Sequence, residues 1–354
     1  MPGDAPEQNV GLAELTTLGV GGPARWFAHV SRAEDVNSLA RSEHQPVFVL
    51  GGGSNLVVAD EGFHGLVLRM AIGGMTAAPL GHDDVIVTAG AGEWWDGVVE
   101  FAVKQNLAGL ECLSGIPGTV GGTPIQNVGA YGQEVATTIE WVAAFDRSAG
   151  AMVRLSGQDC RFSYRMSRFK REDAGRFLIT EVAFRLKRNA RATVAYPDLI
   201  DYFAQRSIAY PGLQQVRDAV LQVRRRKGMV LDSGDPDTRS VGSFFMNPVV
   251  DRTMFEQIAP APHYVMDNDA VKIPAAWLIR QSGFAPGRVE GAVGLSTKHP
   301  LAIINRGGAT AREVVRFARS IKRAVGEQFG VNLRPEPVFV GFPANDDDVA
   351  FLTS

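Results

Sequence analysis

The sequence predicts an α+β fold in more than one domain, and three observations carry that prediction. The chain has 354 residues, more than one ordinary core holds. In residues 1–190, short apolar or alternating runs with strand character outnumber the amphipathic helical stretches. Beyond them, helices with clear start and stop signals are interspersed with short strands. The first part therefore reads as an α+β region and the remainder as a second, α/β region.

Residues 16–30 form a Gly-rich turn entering a strand, and Ser31 is a plausible N-cap for a helix carrying Val36, Leu39 and Ala40 on one side. Residues 46–50 are a short apolar strand that runs straight into Gly51, Gly52, Gly53, Ser54 and Asn55. That sequence suits a phosphate cradle and equally a tight hairpin. It is not a Walker loop, because no Gly-Lys-Ser/Thr follows, and residues 56–58 look extended rather than helical. Strands follow at 66–69 and 85–89. Trp94, Trp95, Val98, Val99, Ala102 and Val103 then share one helical face, with both tryptophans expected in the core.

That helix leads into residues 108–132, which carry Gly109, Gly115, Gly118, Gly121, Gly122, Gly129 and Gly132 with Pro117 and Pro124 between them. Glycine loses the most entropy on ordering, so its use here lies in backbone turns and close approach. Leu110, Leu113, Ile116, Val120, Ile125, Val128 and Tyr131 supply anchors, and a long anchored loop reads as a ligand cradle lined by backbone. Strands at 141–145, 152–155 and 177–186 come next. Between two of them, residues 162–170 interleave Arg165, Arg168 and Lys170 with aromatics. This is either a solvated edge or an anion site in which an arginine fork meets a carboxylate.

Residues 211–227 form a helix with Val216, Val220 and Val223 inward and four cations at its end, where they suit the helix dipole. Residues 242–250 set Ser243 and Asn247 into an apolar wall, without the Gly-x-Ser-x-Gly elbow of an esterase. Pro274 at N1 opens the next helix and Gly283 closes it. A strand follows at 301–304. Thr310 and Glu313 form a capping box for a helix that buries Val314, Phe317, Ile321, Val325 and Phe329 and stops at Gly330. In the closing strand, 334–340, prolines flank Glu336, which is either a surface residue or a carboxylate that the two prolines would help to aim.

Composition narrows the chemistry. A hydrophobic content of 45% with 21% charged residues describes a soluble globular protein, and the net charge of -2 gives no general pull towards nucleic acid or acidic membranes. Two cysteines without CxxC spacing and six scattered histidines argue against a disulfide framework or a metal centre. The N-terminal residues lack a signal-peptide pattern and no apolar run approaches the length of a membrane span, so a cytoplasmic protein is expected.

In chain order, TLGVGGPA (17–24), VLGGGSNLVV (49–58), GLECLSGIPGTVGGTPIQNVGAYGQEV (109–135), YRMSRFK (164–170), GSFFMNPVV (242–250), PAAWLIRQSGF (274–284) and RPEPVFVG (334–341) resemble one family. It is UDP-N-acetylenolpyruvoylglucosamine reductase, also called UDP-N-acetylmuramate dehydrogenase, the flavoenzyme of peptidoglycan synthesis. The resemblance implies an FAD-binding domain of the vanillyl-alcohol-oxidase (PCMH) type followed by an α/β substrate-binding domain. The implied segments are two FAD-binding subdomains, 1–70 and 71–210, and a substrate-binding domain, 211–354, whose last strand near 334–341 returns Glu336 to the active site. Thr16 departs from the family, standing where many members carry asparagine, and is expected to be tolerated.

The resemblance further implies non-covalent FAD, NADPH as co-substrate, a UDP-sugar substrate, and a monomer. Gly51, Gly52, Gly53, Ser54 and Asn55 would hold the FAD pyrophosphate. Ser114, Ile116, Pro117, Gly118, Gly121, Gly122, Gln126, Asn127, Gly129 and Ala130 would wrap the cofactor. NADPH would reduce FAD and leave; hydride would then reach C3 of the enolpyruvyl group, with charge developing on C2 and the carboxylate. Arg165 and Glu336 would polarise that carboxylate, and Ser243 would supply the C2 proton. Tyr196, Lys227 and Asn247 would contact the diphosphate and substrate. The alternative is another FAD-dependent oxidoreductase of the same fold acting on a small alcohol or sugar. Many of those attach FAD through histidine, and neither Gly-rich loop contains one.

Overall fold

A computed structural model describes residues 5–258, 260–266 and 270–354. The chain forms two compact units, each assembled from separate stretches of sequence. The first runs to residue 9 and takes in 25–52 and 65–230; the second comprises 10–24, 53–64 and 231–354. Both mix helices with strands, as the α+β expectation requires.

The main sheet of the first unit is antiparallel, in the order Ala151–Ser156, Ile139–Asp146, Phe177–Arg188, Asp84–Gly90, Met75–Leu80. Side chains two apart share a face of a strand, and Val182, Phe184 and Leu186 join Val85 and Val87 in one core. Trp95, Val98, Val99 and Ala102 of helix Trp95–Lys104 join that core. Each large side chain buried there contributes roughly 1.5–3 kcal/mol.

Trp94 does not follow Trp95 inward. It is 58% exposed, because the helix begins after it and its extended backbone (ψ 126°) takes it off the helical stripe. Ser31 is likewise not the cap expected of it. Helix Asp35–Ala40 starts later, where Arg32 forks onto Asp35 at 2.9 and 2.8 Å. A second sheet runs Glu7–Gly11, Pro23–Val30, Phe63–Met70, Val47–Leu50, the last pair being parallel. Strand Val47–Leu50 delivers the chain to Gly51.

The core of the second unit gathers Leu18 and Val57 with Phe244, Phe245, Leu278, Ile279, Phe317 and Ile321. Helix Ala311–Phe329 has the predicted capping box, and Gly330 stops it at φ 67°. Asp60 adds a second cap, accepting from Ala311 N at 2.7 Å and Arg312 N at 3.0 Å. Pro274 sits one position earlier than expected, at the N-cap of Ala275–Gln281. Strand Val338–Val340 pairs in parallel with Leu56–Val58.

Cys112 and Cys160 are both buried and unbridged, and burial pushes each thiol up to about 12. Among the described residues no helix is long and apolar enough to cross a membrane, and no side-chain cluster could hold a metal ion.

Arg176 grips the Asp146 carboxylate at 2.9 and 2.7 Å and, with Ala149 N and Ser148 N, holds its pKa down at about 2. A depressed carboxylate adds stability above its unfolded value of roughly 3.9 and loses it as pH falls towards the folded value. The melting temperature of the wild-type chain should therefore fall between pH 4 and pH 2. Asp146→Asn should show a smaller fall over the same interval, measured by circular dichroism.

Candidate active site

In the first unit the two Gly-rich stretches touch each other. A Cβ on Gly52 would stand 2.5 Å from Gly118 Cα, and one on Gly51 would stand 2.7 Å from Thr119 Oγ1. These glycines therefore serve, before any ligand, to let neighbouring segments approach closely. Gly121 does the same against Ala91, at 2.8 Å, whereas Gly122 has nothing within 4 Å. The stretch is hung from helix Trp95–Lys104: Trp95 N donates to Gly118 O at 3.1 Å and Trp95 Nε1 to Leu113 O at 3.1 Å. Asp96 accepts Gly115 N at 2.6 Å and two bonds from Arg217 at 2.7 and 2.8 Å. Burial pushes the Asp96 pKa up, but Arg217 and Gly115 N prevail and hold it below its usual value.

Two side chains implied in cofactor binding face the protein instead. Ser114 Oγ donates to Glu111 O at 2.7 Å in a fully buried position. Asn127, 1% exposed, donates to Glu134 Oε2 at 2.7 Å and Ser163 O at 3.1 Å and accepts from Ala136 N at 3.1 Å. Both brace the loop. The half-buried surface belongs to Ile116, Pro117, Gly118, Gly121, Gly122, Gln126, Gly129 and Ala130.

Arg165 sits at the corner of a tight turn closed by reciprocal bonds between Ser163 and Met166, at 2.9 and 3.0 Å. Its φ of 55° is left-handed, a conformation that costs a non-glycine residue about 1–2 kcal/mol. The guanidinium donates to Gly129 O at 2.5 Å and Asn127 O at 3.4 Å. The structure thus brings Arg165 onto the Gly-rich stretch. Tyr196 meets Tyr131 edge to face at 5.4 Å, and Lys227 Nζ lies 6.0 Å from the same Tyr131 ring. Lys227 is also ion-paired to Asp198 at 2.5 Å.

In the second unit, Ser243 and Glu336 are neighbours through the backbone. Glu336 N donates to Phe244 O at 2.8 Å, Met246 N donates to Arg334 O at 3.0 Å, and Phe245 faces Pro335. Pro335 occupies the ladder position that needs no N–H, so it costs no bond. Gly242 turns the chain just before Ser243 with φ 75°. Asn55 braces the tail strand, its Nδ2 donating to Glu336 O at 3.3 Å and its O accepting from Val338 N at 3.0 Å. Gly53 needs its hydrogen: a Cβ there would stand 2.0 Å from Leu15 O. Asn247 Oδ1 accepts Ala275 N at 2.9 Å, capping that helix and leaving its amide N–H groups as the donors it could offer a ligand.

Thr119, Asp96, Arg217 and Arg224 escaped the sequence reading. Arg224 looked like a dipole-complementing cation, yet its Nε is shielded without a partner among the described residues and burial lowers its pKa. Thr119 Oγ1 is a second orphaned buried atom, beside Gly51. A glycine backbone with an unmet hydroxyl at Gly51 and a shielded guanidinium at Gly115 fits a flat, phosphate-bearing dinucleotide such as FAD.

The family described as UDP-N-acetylenolpyruvoylglucosamine reductase, C-terminal domain, matches residues 235–340, and an FAD binding domain family matches 26–156. The chain is 44% identical over 349 residues to the UDP-N-acetylenolpyruvoylglucosamine reductase of Thermobifida fusca, covering 94% of this chain and 98% of the relative. It is 44% identical over 352 residues to the reductase of Salinispora arenicola, covering 95% and 96%. The crystal structure of the Thermus caldophilus reductase superposes with a TM-score of 0.66 at 27% identity, covering 95% of this chain and 98% of that one.

Gly52→Ala should destabilise the flavin-free protein by about 1–3 kcal/mol through overpacking. Gly122→Ala, with open space at its Cβ, should stay within about 0.5 kcal/mol of wild type. Urea unfolding of the two variants checks both values, and equal losses would contradict the contact between the loops.

Proposed function

The chain belongs to the UDP-N-acetylenolpyruvoylglucosamine reductases, and from that footing we propose roles for its residues, with NADPH as reductant and a monomer working in the cytoplasm. The reaction is reduction of the enolpyruvyl group of the UDP-sugar in peptidoglycan precursor synthesis, with FAD as cofactor. FAD, when bound, supplies the hydride that reaches C3 of that group.

Addition at C3 pushes electron density onto C2 and the carboxylate, and a proton at C2 completes the conversion of the double bond to a single bond. Groups aimed where that charge develops lower the barrier most. Arg165 offers a permanent positive charge, and its bonds to Gly129 O and Asn127 O fix the orientation of its fork. Glu336 acts with Arg165 to polarise the carboxylate on which that charge develops. Ser243 delivers the proton to C2. A serine hydroxyl is a weak acid, so it acts by proximity, with its proton replaced from a neighbouring donor.

The observation that best supports these roles is the backbone bond from Glu336 N to Phe244 O, which ties Glu336 to the residue that follows Ser243. We read Tyr196 and Lys227 as diphosphate contacts grouped around Tyr131. For Lys227 this requires the phosphate to share or displace Asp198.

The purified chain should show a flavin absorbance spectrum and oxidise NADPH only when UDP-N-acetylenolpyruvoylglucosamine is present. Oxidation driven instead by a small alcohol or sugar pair would favour a different oxidoreductase. Ser243→Ala should retain flavin reduction by NADPH yet lose at least about 100-fold in enolpyruvyl reduction, the usual scale of general acid catalysis. Stopped-flow measurement of each half-reaction decides the point; equal slowing of both would remove Ser243 from the proton-donor role.

A further inference from the structure

We infer that Trp94 is part of the cofactor site, its indole forming an aromatic platform on which a ring of bound FAD stacks. The inference rests on the FAD reading and adds a contact to it. Trp94 was expected in the core and is instead 58% exposed. A solvated indole forgoes much of the burial that normally holds a tryptophan in place.

Its position is specific. Trp94 and Thr119 form an antiparallel bridge. The hydrogen bonds of that bridge come from the flanking residues, Trp95 N to Gly118 O at 3.1 Å and Val120 N to Glu93 O at 2.9 Å. Trp94 and Thr119 are therefore the non-hydrogen-bonded pair, whose backbones approach to about 4.5 Å and whose side chains leave the same face. On that face the Thr119 hydroxyl lies buried without a partner, next to the Cβ-less surface of Gly51. An unmet oxygen, a bare glycine backbone and an exposed indole thus adjoin one another within the first unit.

The base of the platform is rigid. Trp94 is the N-cap of helix Trp95–Lys104, and its carbonyl accepts from Gly97 N at 3.1 Å and Val98 N at 3.3 Å. A fixed, solvated aromatic beside a phosphate-binding backbone suits a ligand whose flat rings flank a diphosphate. FAD carries two such rings, adenine and isoalloxazine, and stacking on either uses the indole in the same way.

The test uses the full chain stripped of flavin and titrated with FAD, followed by flavin absorbance and tryptophan emission. Trp94→Ala should weaken FAD binding by about fivefold to a hundredfold, the range of base–aromatic stacking, and should remove part of the emission quenching. Trp94→Phe should recover most of the affinity. Because the indole is exposed, both flavin-free variants should melt with wild type, which a purely structural role would not allow. FAD binding within about twofold of wild type in Trp94→Ala, well below the stacking range, would overturn the inference and leave the cofactor reading intact. A wild-type chain that takes up no FAD would overturn both.

Discussion

The contact of Gly52 with Gly118, backbone against backbone, is the constraint from which the rest of the first unit follows. No side chain fits there, so neither loop can hold itself in place by packing. Ordering such a stretch costs about 1–2 kcal/mol per residue in backbone entropy, and the compensation must come from outside. It comes from helix Trp95–Lys104, which fastens Gly118, Leu113 and Gly115 through Trp95 N, Trp95 Nε1 and Asp96. It also comes from buried polar side chains, Ser114 and Asn127, whose bonds close the loop on itself and its neighbours. The glycines provide the room, and these anchors provide the shape.

The second unit meets the same problem with a ladder. Residues 244–246 and 334–336 pair so that the proline between them falls where no donor is needed. Asn55 adds two bonds to the tail strand on either side of Pro337. Ser243 and Glu336, far apart in sequence, are therefore set by backbone geometry, which tolerates less drift than contacts between long side chains.

This explains which features could be read from the sequence. Helix Ala311–Phe329 was legible because its signals are local: a capping box at Thr310, an apolar stripe, and Gly330 at the stop. The Gly-rich stretch was legible as a loop used through its backbone for the same reason. Trp94 was not, because a spacing of three and four marks a stripe without marking where the helix begins. Asp96 and Arg217 were invisible, since 121 residues separate them. The recruitment of 53–64 into the second unit depends on pairing with residues 338–340, and that of 10–24 on bonds such as Asn305 Nδ2 to Leu18 O and Gly19 O, partners no local pattern reveals. Glycine-rich composition pointed to close backbone approach, but it could not tell glycines that touch protein from those left open.

Electrostatics constrain how the chain can hold an anionic ligand. With a net charge of -2 the chain attracts no anion as a whole, so an anionic substrate must be held by individual cations. Three near the Gly-rich stretch are already engaged: Arg217 with Asp96, Lys227 with Asp198, and Arg165 with two backbone carbonyls. Binding is then an exchange of partners, and its net energy is the difference between the phosphate and the group it displaces. Lys227 and Asp198 are each 37% exposed, where an ion pair is worth little, about 0–1 kcal/mol, so this exchange is cheap. Arg217, whose side chain is 8% exposed, holds Asp96 in a half-buried bidentate pair that would be costly to break. The same pairing chemistry therefore yields one cation able to change partners and one that stays fixed to brace the loop.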